Sequence, residues 1–93
     1  MYVILIYDIE EKRVGKILRT CRMFLNWVQN SVFEGEITDA NLVLLKRKLQ
    51  KKMDPEKDSV IVYEFRTTKF MKREILGQEK QKLDTSFNLV DLQ

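Results

Sequence analysis

Residues 2–7 are all apolar or aromatic, with no alternation: Tyr2, Val3, Ile4, Leu5, Ile6 and Tyr7. Such a run predicts a strand buried on both faces. It stops on a carboxylate, Asp8. The spacing Asp8-x-x-Glu11 suits a helix start, with Asp8 as the N-cap and Glu11 reaching back. Val14, Ile17, Leu18, Cys21 and Leu25 then recur at helical spacing, with Lys12, Arg13, Lys16, Arg19 and Arg22 on the other side. Residues 27–34 alternate: Val28, Asn30, Val32 and Glu34 on one side, Trp27, Gln29, Ser31 and Phe33 on the other. This reads as a second strand, stopped by Gly35. Thr38 is the expected N-cap of a second helix. Leu42, Leu45, Leu49 and Met53 form its apolar stripe, and Asp54-Pro55-Glu56 ends it.

Residues 58–65 are rich in β-branched and aromatic residues, a third strand. Residues 67–70 read as a connection with a short helical turn, and residues 72–76 as a short fourth strand stopped by Gly77. Residues 78–85 are polar, a linker. Residues 86–93 regain Phe87, Leu89, Val90 and Leu92, a tail expected to dock on a sheet edge. The expected order is βαβαββ in one domain, residues 1–93 with a core of 1–77. It fits an α/β (α+β) ferredoxin-like sandwich: an antiparallel sheet, two helices on one face and a short C-terminal strand.

Ninety-three residues support only a small core, so a homodimer through the open sheet face is expected. No apolar run approaches the about 20 residues of a membrane-spanning helix. Residues 2–7 lack the flanks of a signal peptide. A cytoplasmic location without membrane contact follows as an expectation. There is one cysteine and no histidine. That excludes an intrachain disulfide, a Cys-rich zinc site and every Ser–His or Cys–His nucleophile system. Enzymatic chemistry would rest on carboxylates, a metal, Lys, Tyr or Ser. The net charge is only +3, yet residues 12–33 hold five bases and no acid, as do residues 41–52. One-signed segments favour polyanionic partners, nucleic acid first.

Five segments now stand in order: YVILIYDI (2–9), KRV (12–14), WVQNSVFEGE (27–36), DSVIVY (58–63) and KREILG (72–77). This arrangement resembles the small CRISPR-associated Cas2 family over residues 2–77, most specifically in QNSVFEG. The resemblance implies a ferredoxin-like homodimer joined through its sheets. It implies that Asp8 lies near its mate at the interface and binds Mg²⁺ (or Mn²⁺) as the catalytic carboxylate. It implies an endonuclease on single-stranded RNA or double-stranded DNA. It also implies a role in spacer acquisition, where the dimer holds duplex DNA and bridges the Cas1 integrase, its own cutting being dispensable. Ser31 and Phe33 match positions lining the cleft near the aspartate, and Arg13 matches a basic position. Several family members carry a base where this chain has Trp27.

Each assignment has a plainer rival. Asp8 is either a helix cap or a metal ligand, and one carboxylate per chain suffices for a water-rich Mg²⁺. Phe33 either packs or forms the cleft wall; Ser31 is either satisfied locally or bonds a metal water or phosphate. Arg13, Lys16, Arg19, Lys46 and Arg47 either line a solvated face or contact phosphates. Cys21 reads as a small buried hydrophobe. Outside CRISPR, a ferredoxin-like toxin ribonuclease or an RNA-binding module fits the same pattern.

Overall fold

The computed structural model describes residues 1–67 and 69–79. The elements are β1 (Tyr2–Asp8), α1 (Glu11–Arg22), β2 (Asn26–Gln29), β3 (Val32–Glu36), α2 (Asp39–Lys52), β4 (Ser59–Thr67) and β5 (Phe70–Gly77). They form one antiparallel sheet in the order β2-β3-β1-β4-β5. This is the ferredoxin-like arrangement with a fifth strand added beside β4. The linker over 80–85 and the tail over 86–93 lie outside the described residues.

β1 is the central strand, flanked by β3 and β4. It is buried on one face only. Val3, Leu5 and Tyr7 point into the core, while Tyr2, Ile4 and Ile6 are half-buried on the other face. The absence of alternation in its sequence therefore has a different cause from the one expected. Both faces of the strand are apolar, but only one is covered by helices. The register extends the open face through Val32, Ile61, Tyr63, Phe65, Met71 and Ile75. The core side collects Phe33, Val60, Val62 and Leu76. Ile17, Cys21 and Leu25 from the α1 segment and Leu42, Leu45, Leu49 and Met53 from the α2 segment complete it. These are the apolar stripes expected from the sequence.

Residues 27–34 are not one strand but two, joined by a tight turn at Asn30 and Ser31. Asn30 adopts φ 47°, a left-handed conformation that asparagine tolerates better than most residues. The two-residue turn puts Gln29 opposite Val32, but a register shift between Trp27 and Gln29 brings Trp27 opposite Phe33, so the alternation of the outer positions survives and did not reveal the reversal. Nor does Gly35 stop the strand, since β3 runs on to Glu36. Thr38 caps α2 as expected, its hydroxyl accepting the Asn41 N–H at 3.1 Å. Asp8 does not cap α1: the N-cap position is Glu10, and Asp8 is the last residue of β1.

β5 is longer than expected and pairs with β4 over its whole length. Thr67 of β4 pairs with Phe70 of β5, where a connection with a helical turn was expected. The Lys69 N–H donates to Thr67 Oγ1 at 3.2 Å, and Thr68 lies outside the described residues. Gly77 ends β5 at φ 85°, and a Cβ there would lie 2.3 Å from the Asp58 carbonyl oxygen. The same carbonyl accepts the Gln78 N–H at 2.9 Å. Gly77→Ala is therefore expected to lower stability by about 1–3 kcal/mol through backbone strain and the clash. Urea denaturation of the two chains measures it, and an unchanged midpoint would refute the strain.

Candidate functional site

Asp8 stands exposed at the end of β1, opposite Ser59 of β4. Its place is set from both sides. The preceding Tyr7 N–H donates to the Ser31 carbonyl at 3.1 Å. Two residues further on, the Glu10 N–H donates to Asp58 Oδ1 at 3.0 Å. Asp8 is thus carried on backbone pinned to the β2–β3 turn and to the segment entering β4. Parity places it on the open face, in line with Ile4 and Ile6.

Asp58 is the anchor. Its side chain is fully buried, yet it is ionised and well satisfied. Arg13 Nε donates to Oδ2 at 2.6 Å and Arg13 Nη2 to Oδ1 at 3.0 Å. The Asp54 N–H adds a bond to Oδ2 at 2.9 Å. Arg13 Nη2 also reaches Glu10 Oε1 at 2.7 Å. The Arg13 side chain holds the Asp58 carboxyl far below the usual carboxylate range, burial opposes it, and the Asp54 and Glu10 N–H groups assist. The Arg13 guanidinium is raised in turn, first by the Asp58 bond.

Ser31 sits in the hairpin turn rather than on a strand, beside the end of β1. Phe33 is 0% exposed. It stacks on Tyr7 with ring centroids 6.1 Å apart, on the helix-covered side. That is the opposite face from Asp8, so within the chain Phe33 is not a cleft wall but the packing beneath β1.

The five bases expected to touch nucleic acid divide. Arg13 is committed to Asp58 and Glu10. Lys46 is held by Glu64 at 3.5 Å and by Glu74. Glu64 lies on the core-facing row of β4, 2% exposed, and a buried carboxylate requires such a partner. Arg66 bonds the same Glu64 at 3.3 Å and Asp39 at 2.7 Å. Lys16, Arg19 and Arg47 remain exposed on the outer faces of the helices, available for sequence-independent phosphate contacts.

The family model described as CRISPR associated protein Cas2 matches residues 1–73. The chain belongs to the Cas2 family. The CRISPR-associated endoribonuclease Cas2 of Dictyoglomus turgidum is 52% identical over 82 residues, 88% of this chain and 94% of that one. That of Methanocaldococcus jannaschii is 50% identical over 84 residues, 90% of this chain and 74% of that one. A solved Cas2 crystal structure matches with a TM-score of 0.70 at 37% identity, over 89% of this chain and 93% of its own. The Streptococcus pyogenes Cas2 structure at pH 6.5 gives 0.65 at 32% identity, over 70% and 86%. An origin outside CRISPR is thereby set aside.

In this Cas2 chain, sequence reasoning missed Asp58, which it took as the first residue of a strand. A signal was present: an acid just before the apolar run Val60-Ile61-Val62, in a chain with a base one turn into its first helix. Cys21 is buried as expected, and burial pushes its thiol up to about 12, so it is inert at neutral pH.

Asp58 yields a pH prediction. Its folded pKa is depressed, so its stabilisation is complete above the unfolded value of about 3.9. It is lost as pH falls from there towards the folded value. The parent chain should lose stability through that acid window more steeply than Asp58→Asn, measured by urea denaturation at stepped pH. Parallel curves would contradict it. At neutral pH, Asp58→Ala should cost about 3–5 kcal/mol, because it strands Arg13 and two backbone N–H groups.

Proposed function

We propose that this Cas2 protein is a homodimeric, Mg²⁺-dependent endonuclease of cytoplasmic CRISPR defence that cuts single-stranded RNA at paired Asp8 carboxylates. The observation that carries this reading is the position of Asp8. It is exposed, pinned on both sides, and at the end of an apolar sheet face that the chain's own helices leave open. Joining two such faces buries Ile4, Ile6, Ile61 and Ile75 and gathers one Asp8 from each protomer at the seam. The names of the relatives, endoribonucleases, support the same chemistry.

Among the described residues, no group of three or more His, Cys, Asp or Glu side chains forms a metal cage within one chain. One carboxylate per protomer nonetheless suits Mg²⁺, a hard cation that takes oxygen ligands and keeps several waters. When bound, the ion would supply a water of lowered pKa and offset charge at the scissile phosphate. Asp8 from each chain would hold the ion and orient that water. Ser31 borders the same strand end with a hydroxyl group suited to a phosphate oxygen. With no histidine in the chain, no imidazole carries the protons.

A second role is favoured by a separate observation. Lys16, Arg19 and Arg47 are exposed on helix faces away from the sheet face. They suit the grip of a duplex in spacer acquisition, with the dimer bridging Cas1 subunits and the tail over 86–93 as the docking segment. Such binding would be salt-dependent and indifferent to sequence.

Cleavage of single-stranded RNA and duplex DNA, with Mg²⁺ and with EDTA, tests the catalytic reading. Asp8→Ala is expected to lose metal-dependent RNA cleavage by at least a hundredfold, on the order of what one catalytic carboxylate supplies, with its folding unchanged. Cutting that survives the substitution would overturn the assignment of Asp8. For the dimer, Ile61→Glu places a charge in the open face. Sedimentation should then show a folded monomer where the parent is a dimer; a dimeric Ile61→Glu would place the interface elsewhere.

A further inference from the structure

Trp27 is the chain's single tryptophan. It is 52% exposed in a protein whose small core has every use for a large ring. The side chain is not loose. Its Nε1–H donates to the Asn30 carbonyl at 3.0 Å, which fixes the indole plane against the β2–β3 turn. In the β2–β3 ladder Trp27 lies opposite Phe33. Residues directly opposite share a face, so the ring stands on the helix side of the sheet. There, at the outer edge strand, β2 runs beside α1.

α1 and its C-terminal end present Lys16, Arg19 and Arg22 to solvent. No acid interrupts residues 12–33. A held aromatic plane on the edge strand that follows a helix with exposed bases is a combination that suits single-stranded nucleic acid. Cations track the backbone while an exposed base stacks on the ring, in any sequence. The internal pairs of a duplex have no free base face to offer. The turn that holds the indole also accepts the Tyr7 N–H through Ser31, while Asp8 stands on the other face of the sheet.

We propose that Trp27 is a stacking platform for one unpaired base, and that it selects single-stranded over duplex nucleic acid. The strand's phosphates then follow Arg19 and Arg22 along α1. This deepens the endonuclease reading above and rests on it only for the link to cleavage; binding itself is independent of Asp8.

The test is intrinsic fluorescence of the parent chain in EDTA, where no metal-dependent cleavage occurs and the only indole is Trp27. The probes are an oligouridylate, an abasic ribose-phosphate oligomer of the same length, and a blunt DNA duplex. Labelled-oligomer anisotropy reports binding of each in parallel. The oligouridylate should quench the emission saturably, and the abasic oligomer should not. Trp27→Ala should weaken oligouridylate binding on the order of tenfold and leave duplex binding unchanged. Trp27→Phe, which keeps a ring but loses the bond to Asn30, should retain most of the affinity. Four results would overturn the proposal: a bound oligouridylate that does not quench, no binding of any single strand, equal losses on single strand and duplex, or a Trp27→Phe chain as weak as Trp27→Ala. Unchanged single-strand binding in Trp27→Ala would overturn it as well. Loss of Asp8-dependent cleavage in the separate assay would neither create nor remove the quenching, so the two readings fail independently.

Discussion

The ion pair between Asp58 and Arg13 ties together the parts of this fold that local sequence leaves loose. A buried carboxylate is costly unless its charge and lone pairs are met. Asp58 meets that cost by drawing in the start of α1, the start of the α2–β4 connection and, through its own main chain, the end of β5. It does for the start of α1 what a capping side chain would otherwise do at short range. The loop after β1 is thereby fixed by a residue about fifty positions away. Asp8, in the middle of that loop's approach, inherits the rigidity. A site built from one exposed carboxylate per chain depends on such positioning, because no dense cage of ligands would correct a misplaced group.

The same economy organises the two faces of the sheet. One face is closed by helices whose stripes of Leu, Ile and Val carry the core. The other remains half-exposed and apolar, too large to be ornamental on a chain this size. Charges are arranged around that division. Lys46, Arg66, Glu64, Glu74 and Asp39 neutralise one another under and beside α2, while Lys16, Arg19 and Arg47 are left at the surface. The number of bases in a sequence segment therefore overstates its attraction for phosphates. What counts is how many remain after the acids of other elements have claimed their share.

Much of this was legible before any coordinates. The helical stripes, the Thr38 cap and the ferredoxin-like class follow from periodicity and cap chemistry, which are local. The resemblance of QNSVFEG and its neighbours to the Cas2 family likewise proved sound. What was hidden is what depends on distant partners. The register shift in β2 offsets the turn at Asn30 and Ser31 and keeps Trp27 and Phe33 on one face, so a hairpin passed for a strand. The apolar run of β1 did not say whether helices or a second copy would cover each face. Asp8 was offered as a cap because its spacing to Glu11 is right, but Asp58 already occupies that role from across the chain. Arg13 passed for a surface base for the same reason.

The composite nature of the site is best tested by Mn²⁺ titration followed by electron paramagnetic resonance, on the parent, Asp8→Asn and the monomeric Ile61→Glu chain. If two Asp8 carboxylates at a sheet-to-sheet seam make the metal site, the parent dimer binds Mn²⁺ and both variants lose it, though Ile61→Glu keeps Asp8 intact. A monomer that binds Mn²⁺ as tightly as the dimer would contradict it, and would place the site within a single chain.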